Sequence, residues 1–240
     1  MSVGLVEQLA VVTGASSGIG RALALALARE GMALCLLGRD LARLEATAKE
    51  ARVRSPAVTW ASVDLTQFAQ IQSFVDAMGD KRPAVLVHSA GLYASGPHKE
   101  RRPEEYAALF AANVSGPMYL TQLLLDGLVG TQGQIVFINS TQGLTPSPRV
   151  GLFAATQHAF KAMADTLRDE VNPLGVRVLT VHVGRTATAR QERIFAQEGR
   201  NYAPDRLLQP EDVATMVVAA LKLPRTGEVT NLTIRPMLKS

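Results

Sequence analysis

Short apolar runs alternate along the chain with longer stretches in which apolar residues return every three or four positions. That alternation predicts strands and helices in turn. Leu9 to Val12 is β-prone and leads through Thr13-Gly14-Ala15-Ser16-Ser17-Gly18-Ile19-Gly20 into Arg21 to Glu30, a run of strong helix formers that Gly31 can end. Ala33 to Leu37 reads as a strand buried on both faces, and Asp40 is placed to cap a helix beginning at Leu41. Residues 57 to 63 predict a third strand ending in Asp64-Leu65. Gln67 to Met78 then sets Phe68, Ile71, Phe74, Val75 and Met78 at helical spacing. Val85 to Val87 is a fourth strand, Pro103 to Val129 a long helical region bent near Gly116-Pro117, and Ile135 to Ile138 a fifth strand. A second long helix over Gly151 to Val171 stops at Asn172-Pro173. Val176 to Val183, Asp212 to Leu221 and Val229 to Ile234 predict strand, helix and strand.

Strands that alternate with helices imply a parallel sheet with right-handed crossovers and both faces covered. The expected architecture is α/β: one domain over residues 1 to 240, a doubly wound parallel sheet of about seven strands with helices on both faces. Ligands of such a sheet lie beyond the C-terminal ends of its strands. Gly14 to Gly20, Gly38-Arg39, Asp64, Ser89 to Gly91, Ser140 and Gly184 all fall there. Residues 185 to 210 are polar with few apolar anchors, which points to a mobile flap over the cleft.

The turn after the first strand is the first candidate site. A helix starting there leaves its first N–H groups unpaired, with the positive end of its dipole behind them, and glycines clear the side chains that block a backbone from an anion. A pyrophosphate suits such a place.

Composition narrows the picture by exclusion. Hydrophobic content of 47% with 19% charged residues is globular, and the formal charge of +4 is scattered without a basic stripe, which argues against nucleic acid as partner. Cys35 is the only cysteine, so no intrachain disulfide can form and a buried inert thiol in a reducing compartment is expected. No leader and no apolar run of membrane-spanning length is evident, so a cytoplasmic protein is expected, with no metal site and no membrane partner.

The T-G-x-x-x-G-I-G turn between strand and helix resembles the nucleotide signature of the short-chain dehydrogenase/reductase family, and the likeness extends over nearly the whole chain. Asp64-Leu65 matches the family's adenine-contacting pair, and His88-Ser89-Ala90-Gly91 resembles its N-N-A-G turn with both asparagines replaced. Asn113 resembles the active-site asparagine whose carbonyl holds a water of the proton relay, and Ser140 the catalytic serine. Gly184-Arg185-Thr186-Ala187-Thr188 resembles the segment beside nicotinamide, without its preceding proline. The resemblance implies a Rossmann-like fold and hydride transfer between nicotinamide and a carbonyl or alcohol. It also implies a cofactor site drawn from Gly14, Ser16, Ser17, Gly18, Ile19, Gly20, Arg39, Asp64, Leu65, Ser89, Ala90, Gly91, Gln157, Gly184, Thr186 and Thr188. A homodimer or homotetramer through the helices at 103 to 129 and 151 to 171 is implied as well.

Cofactor choice can be read at the end of the second strand. A carboxylate there would bond the adenosine ribose and repel a 2′-phosphate, but the position is Gly38, followed by Arg39, whose guanidinium can hold a phosphate. NADP(H) is therefore expected over NAD(H).

The catalytic pair departs from the family. The tyrosine expected thirteen residues after Ser140 is Phe153, and the lysine four further on is Gln157. The two would share one helix face, where phenylalanine fills the ring space without an O–H and glutamine can bond a ribose but brings no charge. Three functions stay open. The first is an oxidoreductase with an altered proton route, using water or a neighbouring His88 or His182; the second is an inactive NADP(H)-binding sensor or scaffold; the third is a reductase of activated C=C bonds. His158 should face away from the cleft, while Tyr93 and Tyr202 sit on loops from which they could swing in.

Overall fold

The computed structural model describes residues 4–238. Among them seven strands form one parallel sheet in the order β3-β2-β1-β4-β5-β6-β7. The strands are β1 Leu9–Thr13, β2 Ala33–Gly38, β3 Val58–Ser62, β4 Pro83–His88, β5 Gln134–Ser140, β6 Arg177–Val183 and β7 Asn231–Ile234. The helices are α1 Gly18–Arg29, α2 Leu41–Ala51, α3 Phe68–Met78, α4 Pro103–Phe110, α5 Gly116–Gly130, α6 Gly151–Val171, α7 Ala189–Gln197 and α8 Pro210–Leu221. The strand order reverses between β1 and β4, which opens a crevice at their C-terminal ends.

Period-2 alternation divides the core. Ala10, Val12, Leu34, Leu36, Val85 and Val87 point to the face covered by α1, α2 and α8, and Val11, Cys35, Leu37, Leu86, Ile135 and Phe137 to the face covered by α3, α5 and α6. Burying a leucine such as Leu23 or Leu120 contributes about 1.5–3 kcal/mol, so each face anchors its helices firmly.

Most expected elements are present with shifted ends. The first helix begins at Gly18 rather than Arg21, so two glycines belong to its first turn. The strand expected over 57 to 63 is shorter, and β5 runs on to Ser140. The long helix over 103 to 129 is interrupted by a π-helical turn, Ala111–Ser115, ahead of Gly116. Pro117 has no N–H for the carbonyl of Asn113 four residues earlier, so wide π bonding precedes it without a sharp break. The segment expected to carry few apolar anchors is corrected: it carries α7, and Ile194, Phe195, Leu207 and Leu208 are buried. Thr188 caps α7 by accepting from the Gln191 N–H (3.2 Å). No described helix is long and apolar enough to cross a membrane.

Candidate active site

The first turn of α1 has the features of an anion cradle. Ser17 stands at the N-cap in extended backbone, its side chain makes no capping bond, and the turn carries no acidic residue. The N–H groups of that turn are left for an external acceptor. Gly14 has φ +69°, and a Cβ on it would lie 2.8 Å from the Ala90 nitrogen, so the glycine turn rests directly on the loop after β4. Thr13 ties the same two loops. Its hydroxyl donates to the Val87 carbonyl (3.2 Å) and accepts from the Ser89 and Ala90 N–H groups (3.0 and 3.1 Å).

At the end of β2, a Cβ on Gly38 would stand 3.3 Å from the Ser16 hydroxyl oxygen, so a carboxylate there would crowd the space that glycine leaves open. Arg39 is exposed beside it, and the neighbouring Asp40 is taken by Arg43 (3.2 Å). Asp64 Oδ1 accepts from the N–H and hydroxyl of Thr66 (both 2.9 Å), and Leu65 is buried with its carbonyl against Gly116. The residues present thus fit a phosphorylated dinucleotide: an unfilled helix terminus, a cleared strand end and a free guanidinium on one rim.

The segment after β6 reaches over this rim. The Thr188 methyl would lie 3.0 Å from a Cβ on Gly18, and buried Thr186 donates to the Gly184 carbonyl (3.1 Å). Arg190 crosses to the opposite loop and donates to the Gly91 carbonyl (2.5 Å). Burial, then the charges of Arg193 and Arg39, pull its pKa down, which marks a concentration of positive charge at this mouth. Arg190 was not picked out in the sequence, although it lies only two residues beyond Thr188.

Across the crevice, Asn113 is 2% exposed and fully engaged. Its Oδ1 accepts from the Leu92 N–H (2.7 Å), and its Nδ2 donates to the Leu92 carbonyl and the Thr156 hydroxyl (both 3.0 Å). Ser140 ends β5, where its hydroxyl accepts from the Gln142 N–H (3.1 Å) and keeps its own proton to give. The turn after it packs on α6, where Asn139 Nδ2 donates to the Gln157 carbonyl (2.9 Å). Gln157 is buried, and its amide nitrogen is 3.5 Å from the Thr156 hydroxyl. Phe153 is half-buried and meets Tyr93 edge-on, ring centroids 5.0 Å apart.

None of the histidines considered as acids stands in the crevice. His158 is exposed on α6 and bonds the Ala154 carbonyl through Nδ1 (2.9 Å). His182 is buried behind β5, its Nδ1 3.3 Å from the Ser140 carbonyl, and desolvation lowers its pKa. His88 is 1% exposed between Phe137 and Phe160. The Thr121 hydroxyl donates to the Pro117 carbonyl, so it must accept from His88 Nε2–H (2.7 Å), leaving Nδ1 bare and without a donor. Tyr202 packs on Phe195 of α7.

Burial holds the His88 pKa down at about 3, and this has a sign for stability. Between pH 6.5 and 3 the unfolded chain binds a proton at His88 that the folded chain refuses, so folding is favoured above 6.5 and loses about 1.4 kcal/mol per pH unit on the way down. Denaturant unfolding at stepped pH should show this slope, reduced by that amount in His88→Asn. Parallel curves for the two proteins would refute it.

A cavity of about 760 Å³ lies elsewhere, at the N-terminal ends of β1 and β2 beside α3, with Cys35, Phe74 and Met78 in its wall. Burial raises the Cys35 pKa, which keeps it a thiol.

Residues 8–199 match the family model described as short chain dehydrogenase. The chain belongs to the short-chain dehydrogenase/reductase family. An uncharacterized oxidoreductase of Staphylococcus saprophyticus is 31% identical over 239 residues, covering 98% of this chain and all of that one. Among solved structures, an alcohol dehydrogenase of the archaeon Thermococcus sibiricus, complexed with 5-hydroxy-NADP, superposes with a TM-score of 0.87 at 28% identity, covering 98% of each chain. A protein of Shigella flexneri 2a complexed with NADP gives 0.87 at 27% identity, covering 96% of this chain and 98% of that one. The chain is thus an oxidoreductase of this family.

Proposed function

We propose that this short-chain oxidoreductase binds NADP(H) in preference to NAD(H) and reduces a carbonyl substrate by a proton route that bypasses the family's tyrosine and lysine. The observation that carries the reading is the uncapped, acid-free first turn of α1 beside the opening left by Gly38, with Arg39 on its rim. The NADP species held by the Thermococcus and Shigella proteins support the same cofactor.

In this reading the N–H groups of Gly18, Ile19 and Gly20, with Gly14 and the Ser17 hydroxyl, hold the diphosphate, and Ser16 and Arg39 hold the 2′-phosphate. Asp64 and Leu65 border the adenine, while Ser89, Ala90 and Gly91 lie along the ribose side. Gly184, Thr186 and Thr188 close over the nicotinamide. The bound cofactor supplies a hydride at its nicotinamide C4. Ser140, with a proton to donate, polarises the substrate oxygen. Asn113 has spent its side chain on Leu92 and Thr156, and its backbone carbonyl, denied a donor by Pro117, is the part available to hold a water. Gln157 can bond the nicotinamide ribose but cannot acidify a hydroxyl as an ammonium would.

Positioned acid–base catalysis is worth roughly 10² to 10⁴ in rate, so the wild type should be slow. Phe153→Tyr with Gln157→Lys is expected to raise kcat for NADPH-dependent reduction across a carbonyl panel at least about tenfold. An inert wild type beside an active double variant would instead make the natural protein an NADP(H)-binding sensor or scaffold, the reading favoured by the paired loss at 153 and 157. If both are inert, the pocket is not a carbonyl reductase. We further infer a homodimer or homotetramer in which exposed Tyr106 and Phe110 of α4 and Met163 of α6 are covered; light scattering of monomer alone would reject it.

A further inference from the structure

The space around Phe153 contains a phenol that the family pattern does not supply. Tyr93 presents its ring to Phe153 at an interplanar angle of 61° with centroids 5.0 Å apart, an edge-to-face pair that holds both rings in place. Its position is set by the backbone rather than by chance packing. Leu92, the preceding residue, is clamped through both its N–H and its carbonyl by Asn113, and Asn113 reaches on to Thr156, one turn along α6 from Phe153. A closed frame of loop, π-turn and helix therefore holds the Tyr93 ring against Phe153, whose i+4 neighbour on α6 is Gln157.

We propose that Tyr93 is the proton-exchanging catalytic residue of this pocket, its hydroxyl giving the substrate oxygen the proton that Phe153 cannot. The proposal rests on the carbonyl-reductase reading above. The balance closes with a reduced nicotinamide dinucleotide phosphate as reductant. Its hydride forms the new C–H bond, the carbonyl π pair moves onto oxygen, and that oxygen takes the Tyr93 proton. The phenolate left behind recovers a proton from water, so one carbonyl and one reduced cofactor become one alcohol and one oxidised cofactor.

The surroundings of Tyr93 keep its hydroxyl protonated. Burial, opposed by the Ser95 hydroxyl and by Arg185 and Arg101 and assisted by Glu198, sets its pKa above the usual phenol value, so it carries its proton at neutral pH. Arg185 spends Nη2 on both oxygens of Glu198 (3.0 and 2.8 Å), while its Nη1 is buried with no hydrogen-bond partner. That spare donor can steady the transient phenolate, the task for which Gln157 lacks a charge.

Tyr93→Phe tests this, because it keeps the ring pair and removes only the hydroxyl. Alkaline absorbance titration of the cofactor-free protein should lose one tyrosinate transition lying above about 10. With NADPH, kcat should fall at least about tenfold, a modest share of what a positioned acid contributes, with NADP+ affinity and unfolding midpoint unchanged. In the Phe153→Tyr, Gln157→Lys background the same change should alter kcat by less than about threefold, because a second phenol now does the work. An unchanged kcat in the wild-type background, or equal losses in both backgrounds, overturns the role of Tyr93 while leaving the reductase reading intact. Inert protein in both backgrounds overturns the two together.

Discussion

Arg39→Glu is expected to lower NADP+ affinity roughly 10²- to 10³-fold and to leave NAD+ affinity within about threefold. Hydrogen bonds to a charged group contribute about 1.5–3 kcal/mol, and a carboxylate in their place adds repulsion of roughly 1 kcal/mol or more at a solvated site. At 1.4 kcal/mol per decade these sum to the stated range. The one adjacent carboxylate, Asp40, does not enter the balance, being already held by Arg43 and by its capping bond to the Arg43 N–H. Calorimetry of the cofactor-free protein with each dinucleotide decides it. A preference that survives the charge reversal would place the 2′-phosphate elsewhere, with Arg190 the next guanidinium to test. The wild-type preference should also shrink as salt rises, because the rim is exposed and its charges are screened within about 8 Å at physiological ionic strength.

The cofactor side of this site was legible in the sequence because its chemistry is local. Gly14, Gly18 and Gly20 lie within one turn, and the absence of a carboxylate at Gly38 is a single position that can be counted. The sheet was legible for a similar reason, since fully apolar runs such as Ala33 to Leu37 have few other places to go. The catalytic side depends on contacts that cross the fold. That Asn113 would spend its side chain on Leu92 and Thr156, or that His88 and His182 would be sealed away, follows from strand register and from which face of β4 and β6 each ring occupies. α7 was missed because Arg190, Gln191, Glu192 and Arg193 dilute its two anchors, Ile194 and Phe195, although Thr188 three residues ahead of Gln191 is a capping signal. The π-turn left one trace, Pro117.

The counterpart at the glycine turn is Gly20→Ala, for which two effects oppose each other. Alanine in a helix is favoured over glycine by about 1 kcal/mol, so propensity alone would stabilise α1. Geometry acts against it: the new Cβ would lie 2.7 Å from the Gly14 carbonyl carbon and closer still to its oxygen. Those are backbone atoms of a residue at φ +69°, itself pressed on Ser89 and Ala90, so the turn cannot give way by a side-chain rotation. Overpacking of this kind costs about 1–3 kcal/mol and more when the neighbour is rigid, so the clash outweighs propensity. A net loss of about 2 kcal/mol corresponds to a Tm lower by roughly 4–8 °C. Any shift of α1 that relieves the clash also re-aims the N–H groups of its first turn, and NADP+ affinity should fall with stability, at least about tenfold. Gly130→Ala in α5 is the control, because its new Cβ meets only the far end of the Arg82 side chain, 3.1 Å away, and should be neutral or slightly stabilising. A Gly20→Ala protein as stable as the Gly130→Ala one, with cofactor binding intact, would mean that the turn is not the rigid cradle on which the binding reading depends.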